Sequence, residues 1–191
     1  MTRDEAKAFI KAPCLWPLLV GGQLDQPAAA RAAFRNGPFE HLPAQPVATP
    51  ADLPAIIALL ADDRLGQGRE DAADPPNPAY IAAFAAIDAD ANQYLAVVED
   101  AGRVIGCLQL SFIPGLSRLG MWRGQIEGVR IAADRRGDGL GRQMFEWAIA
   151  ECRARGCGML QLTTDKTRPE ARRFYESLGF VASHEGMKLA L

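Results

Sequence analysis

The chain has 191 residues and a formal net charge of −2; 49% of its residues are hydrophobic and 23% are charged. That balance belongs to a folded chain of about one α/β domain and excludes a disordered one. With no basic footprint, nucleic acid is not an expected partner; nor is a membrane, since no apolar run approaches the ~20 residues of a membrane-spanning helix.

Residues 1–46 are rich in Ala and Pro, with short helical patterns at Arg3–Lys11 and Pro27–Arg35 around an apolar patch, Cys14–Val20. So short a stretch barely supports a core of its own. It reads as an N-terminal extension that packs on the domain or on a partner subunit, a homodimer included. The domain proper is expected over residues 47–191. The opening MTRDEAKAF lacks the apolar stretch of a secretory leader, so the cytoplasm is the expected compartment.

Val47–Ala48 reads as the remnant of a first strand. Thr49 and Pro50 then suit an N-cap and a first helical position, and Leu53, Ile56, Ile57 and Leu60 give one apolar stripe. A loop, Asp62–Pro78, carries Asp62, Asp63, Glu70, Asp71 and Asp74, and a second helix follows at Ala79–Ile87. Gln93–Glu99 and Arg103–Phe112 are β-branched and apolar, joined by the hairpin signal Asp100-Ala101-Gly102. After a loop at Ile113–Trp122, Gln125–Ala132 reads as a further strand and Leu140–Arg155 as an amphipathic helix that Gly156 ends. Met159–Thr164 is expected to be a buried strand, and Pro169 opens a last helix that Gly179 closes. Phe180–Ala182 and Met187–Leu191 would form a final hairpin around Ser183–Gly186. The fold class is α/β, a central mixed sheet with helices on both faces.

The four cysteines, Cys14, Cys107, Cys152 and Cys157, form no CxxC pair, and the histidines are His41 and His184 alone, so no metal site is expected. Cys107 and Cys152 read as small core residues.

Between the strand Gln125–Ala132 and the helix from Leu140 lies Arg136-Gly137-Asp138-Gly139-Leu140-Gly141. Glycines at such a junction admit a ligand to the backbone, and the helix start offers unpaired N–H groups at the positive end of its dipole. The pattern suits a pyrophosphate. It is neither a Walker loop, lacking Lys-Ser or Lys-Thr, nor the dinucleotide fingerprint, whose third glycine would fall on Arg142 or Met144.

R-x-x-G-x-G in this setting, followed by Ala171–Phe180 (ARRFYESLGF), resembles the GNAT superfamily of acetyl-CoA-dependent N-acetyltransferases, over about Val47 to Leu191. The resemblance implies the GNAT fold, acetyl-CoA as co-substrate and a primary amine, small or on a peptide, as acceptor. It implies that the backbone of Gly137–Arg142 (Gly137, Asp138, Gly139, Leu140, Gly141, Arg142), with Arg136 before it, holds the pyrophosphate. The exposed backbone of Val129, Arg130 and Ile131 would pair with the pantetheine amides, and Val129 N–H would face the developing oxyanion. Glu127 is the candidate general base, two residues before Val129 and so expected on the same side, with Gly128 suited to a β-bulge. Tyr175 matches the family tyrosine that protonates the leaving sulfur. Where many relatives carry Asn at the start of the last helix, this chain has Arg168 as its candidate contact. The loop after the first helix borders the acceptor in this family; its carboxylates read either as solvated surface or as a lure for a cationic amine. A CoA-binding sensor or scaffold without turnover, and an acyltransferase with another acyl group or acceptor, are the alternatives.

Overall fold

The computed structural model describes residues 47–62 and 66–190. The helical patterns at Arg3–Lys11 and Pro27–Arg35, the patch Cys14–Val20 and the acidic Asp63 lie outside them.

Thr49 does start the first helix, with a reciprocal contact: its backbone N–H donates to Asp52 Oδ2 at 2.7 Å. A 3-10 turn at Pro50–Asp52 leads into α1, Leu53–Ala61, whose Leu53, Ile56, Ile57 and Leu59 are buried. Helix α2, Pro78–Ala89, begins with Pro in its first turn and with Asn77 Oδ1 accepting from Ala79 N–H. Strands β1, Gln93–Asp100, and β2, Arg103–Ile113, form the expected hairpin, turning through Ala101 and Gly102 at φ 49° and 79°. A left-handed turn at Ser117–Gly120 interrupts the next loop, and β3 runs over Arg123–Ile131. Helix α3, Leu140–Ala154, crosses back to β4, Met159–Leu162, and α4 spans Pro169–Ser177.

The sheet order is β1-β2-β3-β4, antiparallel except for the parallel β3–β4 pair. Val47 bridges to Ala96, as a vestigial first strand should. One face carries Tyr94, Ala96 and Val98 beside Leu108, Leu110, Phe112 and Ile126, all buried. Helix α3 covers it with Met144, Phe145, Trp147, Ala148 and Cys152, and the Tyr94 and Trp147 rings meet at 5.4 Å. On the opposite face Val97 and Cys107 pair across strands and are buried. This mixed sheet with flanking helices is the fold class read from the sequence.

Two expectations are corrected. Met159–Leu162 is half-buried throughout, because β4 is an edge strand with a neighbour on one side only among the described residues. The final hairpin is not formed: residues 180–190 contain no strand, and Val181, Met187 and Leu189 are exposed. Its alternating pattern is short, and periodicity by itself supplies no partner.

Gly124 sits where α3 presses on the sheet. A Cβ there would stand 2.3 Å from Cys152 Sγ and 2.8 Å from Leu160 Cδ1. Gly124→Ala is therefore expected to lose about 1–3 kcal/mol, read as a lower urea midpoint at unchanged m-value. Gly68→Ala, with nothing within 4 Å, should leave the midpoint essentially in place.

Candidate active site

The parallel β3–β4 pairing covers only Arg123–Ile126 against Met159–Leu162. Beyond it, residues 127–131 of β3 have no strand on that side among the described residues. Their backbone N–H and C=O groups form an open edge of the kind that takes up an extended ligand. The edge is bent at its start. Gln109 pairs with Glu127 and Cys107 with Arg130, so two residues of β3, Gly128 and Val129, face the single Leu108. Gly128, at φ 61°, is the bulge that only a residue without Cβ adopts freely. Cys107 Sγ donates to Gly128 O at 3.5 Å across it.

The bulge overturns one detail of the sequence reading. Period-2 spacing put Val129 on the side of Glu127, but the extra residue shifts the ladder, and Arg130 takes that position. Glu127 itself is exposed.

The glycine loop stands where expected, between β3 and α3. Gly137 and Gly139 have φ of 99° and 79°, and a Cβ on either would meet nothing within 4 Å. Gly139 caps α3, leaving the first-turn N–H groups without intrahelical acceptors. Leu140 is buried and anchors the helix start. Gly141 lies against α4, where a Cβ would reach 3.6 Å from Phe174 Cζ. Arg142 Nη2 donates to Ser177 Oγ at 3.1 Å, joining α3 to α4.

Arg136 is committed elsewhere than to an open phosphate position. Its Nε donates to Ile131 O, and its Nη2 to Asp62 O and Oδ2, all at 3.1 Å. It fastens the loop to the end of β3 and to the end of α1. Arg135, which the motif does not include, pairs with Asp100 and donates to Asp138 Oδ2 at 2.9 Å. Arg103 and Asp134 meet at 2.6 Å beside it, and that guanidinium holds the Asp134 carboxyl below its ordinary pKa. Asp138 thus braces the loop from within. Sequence reasoning missed Arg135 because one of its two partners, Asp100, lies on a hairpin far off in the chain.

Tyr175 lies on α4 with its ring against Phe145, 5.4 Å between centroids, and against Phe174 and Phe180. Burial pushes its phenol pKa up, while the charges of Arg168 and Arg130 pull the other way. Arg168 occupies the N-cap position of α4. The fold therefore brings Tyr175, Arg130 and Arg168 into one electrostatic neighbourhood, beside the open edge that carries Glu127, Val129 and Ile131. Burial raises Cys107 and Cys152 to about 12, which leaves either thiol unready as a nucleophile near neutral pH. No group of three or more His, Cys, Asp or Glu among the described residues is placed to hold a metal ion.

The acidic loop is largely used locally. Asp62 pairs with Arg136 at 3.1 Å, Glu70 accepts from Tyr80 Oη at 2.9 Å, and Asp71 Oδ1 accepts from Ala73 N–H. A row of polar side chains on the sheet escaped the sequence reading altogether. Gln93, Ser111, Gln125 and Gln161 stand in register across all four strands, on the face opposite α3. Only strand register exposes such a row, since its members come from four separate segments.

Residues 55–180 match the family model described as "Acetyltransferase (GNAT) family". Aminoalkylphosphonate N-acetyltransferase of Salmonella typhimurium is 31% identical over 106 residues, covering 56% of this chain and 68% of that protein. Glucosamine 6-phosphate N-acetyltransferase of Trypanosoma brucei is 35% identical over 91 residues, 47% of this chain and 59% of that protein. A solved structure described as a transcriptional regulator from Bacillus halodurans superposes with TM-score 0.74 at 47% identity, over 76% of this chain and 97% of that one. The chain belongs to the GNAT family and is an acyltransferase.

Two glycines separate backbone strain from ligand space. Gly139 and Gly156 have φ of 79° and 71°, and neither Cβ would touch anything within 4 Å. Gly139→Val and Gly156→Val should thus lose similar stability, on the order of 1–3 kcal/mol. Only Gly139→Val should abolish CoA binding in calorimetry, because only there does the side chain enter the space before the helix start.

Proposed function

We propose that this GNAT acyltransferase moves the acetyl group of acetyl-CoA to a primary amine by direct attack within a ternary complex. The observation that supports the reading most is the open, bulged edge of β3 running into a glycine loop in which a Cβ on Gly137 or Gly139 would face empty space. A long, thin ligand with amides at one end and a pyrophosphate at the other suits that sequence of features.

In this reading the backbone of residues 129–131 holds the pantetheine arm, with Ile131 O already shared with Arg136. The loop from Gly137 to Arg142 holds the pyrophosphate through its N–H groups. Arg136 and Arg135 keep the loop in shape. Arg168 takes the place of the family's asparagine, as a cation near Tyr175. When bound, acetyl-CoA supplies the acetyl group as a thioester.

Glu127 accepts a proton from the incoming ammonium, directly or through a water, so that the nitrogen lone pair is free to form the new C–N bond. Val129 N–H faces the oxygen on which charge develops. As the C–S bond breaks, Tyr175 donates its proton to the departing sulfur. A phenol keeps its proton through the neutral range at its ordinary pKa, and burial, which moves that pKa up, does not take it away. The nitrogen loses two protons in passing from ammonium to amide. The first goes to Glu127 and on to solvent, and the second, released as the C–S bond breaks, balances the proton that Tyr175 gives to sulfur and restores the phenol; nothing is oxidised or reduced.

The two relatives named above act on amines that carry a phosphonate or a phosphate. Their chemistry makes a small polar amine the acceptor class to test first. A second reading, a CoA-binding regulator without turnover, draws on the likeness to the Bacillus halodurans protein. Slow thiol release from acetyl-CoA by the purified protein separates the two, since a binder alone should not hydrolyse the thioester.

The two catalytic assignments predict different kinetics. Glu127→Gln should lower kcat/KM by ~10²–10⁴ and flatten the acidic limb of the pH profile, with partial recovery at high pH where free amine arrives unaided. Tyr175→Phe keeps the aromatic cluster and should lower kcat at nearly unchanged acetyl-CoA affinity. In the native enzyme no loss of activity from Tyr175 ionisation is expected below the ordinary phenol pKa of 10.0, since burial moves that pKa up. Full activity of Tyr175→Phe at every pH would make the residue a packing aromatic only.

A further inference from the structure

We propose that the polar row across the sheet is the floor of the acceptor site, and that the acceptor is an amine carrying several hydroxyl groups. The inference rests on the acetyltransferase reading above and deepens it by naming the acceptor class.

Gln93 pairs with Ser111, Ser111 with Gln125 and Gln125 with Gln161, one residue from each strand. Paired residues share a face, so the four side chains stand in line, roughly 5 Å from strand to strand. The next row along carries Leu95, Gln109 and Glu127. The proposed base is therefore on the same face, about 7 Å along β3 from Gln125. An amine presented to Glu127 has the row beneath its remaining atoms.

The row is joined into two units. Gln93 Oε1 accepts from Ser111 Oγ at 2.6 Å and from Gln109 Nε2 at 3.1 Å. Gln161 Nε2 donates to Gln125 Oε1 at 2.7 Å. The glutamines are half-buried and Ser111 is buried, so these groups are fixed rather than swinging in solvent. Each amide still has capacity left over, Nε2 of Gln93 as a donor and Oε1 of Gln161 as an acceptor. The charged residues of β3 on this face are Arg123 and Glu127, at either side of Gln125, and Arg130 beyond the bulge; the row itself is neutral.

A neutral floor of mixed donors and acceptors selects by hydrogen bonding. Hydroxyl groups match it, because each both donates and accepts. An alkyl chain laid on it would leave half-buried amides unsatisfied. A second ammonium group would find no carboxylate in the row, and Glu127 is already engaged with the reacting nitrogen. The acidic loop offers that cation little more, since Asp62, Glu70 and Asp71 are occupied by local partners.

The test compares three amines, glucosamine, cyclohexylamine and cadaverine, as acceptors with the intact protein. Glucosamine should have the highest kcat/KM by at least tenfold. Gln125→Leu with Gln161→Leu removes both members of one hydrogen-bonded pair, so neither is left orphaned. That double variant should raise the glucosamine KM at least tenfold, leave the cyclohexylamine KM level or lower, and leave CoA affinity unchanged by calorimetry. A native preference for cyclohexylamine or cadaverine overturns the proposal. So does an unchanged glucosamine KM in the double variant. CoA binding and thioester turnover without discrimination among the amines overturns it too, and leaves the acetyltransferase reading standing. Failure of CoA to bind the native protein overturns that reading, and the proposal with it.

Discussion

Strand β4 keeps company with β3 for four residues and then leaves it, and the site follows from that separation. A parallel partner must be reached by a crossover, here α3, and the crossover must start where β3 ends. The turn at that point is therefore obliged to sit beside the unpaired edge of β3. A helix start with free N–H groups and a strand edge with no strand beside it among the described residues become neighbours by topology alone. The Gly128 bulge adds a local twist two residues past the last one paired with β4, while β2 still holds Arg130 and Ile131 on the other side.

Such a loop has little of its own to hold it, being rich in glycine and exposed. The ion pairs of Arg135 with Asp100 and Asp138, of Arg103 with Asp134 and of Arg136 with Asp62 surround it. Exposed pairs of this kind contribute roughly 0–1 kcal/mol each, too little to explain the stability of the domain. Their effect is orientation: three arginines tie one short loop to the β1–β2 hairpin and to the end of α1. The loop is thereby shaped before any ligand arrives, which reduces the ordering cost of binding.

Much of this was legible in the residues. Helical spacing from Leu140 and the position of Gly139 fixed where strand yields to helix, and the structure puts the boundary there. Gly128 was recognisable as suited to a bulge because an isolated glycine inside a strand pattern often marks one. What the bulge does to Val129 and Arg130 was not legible, since that depends on how many residues β2 sets against them. Burial of Met159–Leu162 and the final hairpin were misread for a related reason: composition says that a segment suits a strand, while its neighbours decide whether it is covered or paired. The row of Gln93, Ser111, Gln125 and Gln161 belongs to the same class of information. Each residue is unremarkable in its own segment, and the pattern exists only in the register.

At Tyr175 packing and the proposed chemistry meet in one side chain. Its ring is held by Phe145, Phe174 and Phe180, and the same burial that makes it a core aromatic raises its phenol pKa. A proton donor to a thiolate must hold its proton until the sulfur becomes basic, and it must not wander from its line of approach. In the proposed role the aromatic cluster serves the second need, by fixing the ring. Arg130 and Arg168 oppose the shift, and so limit how far it goes. In the role proposed for Tyr175, packing sets where the phenol stands, and its proton stays in place through the neutral range.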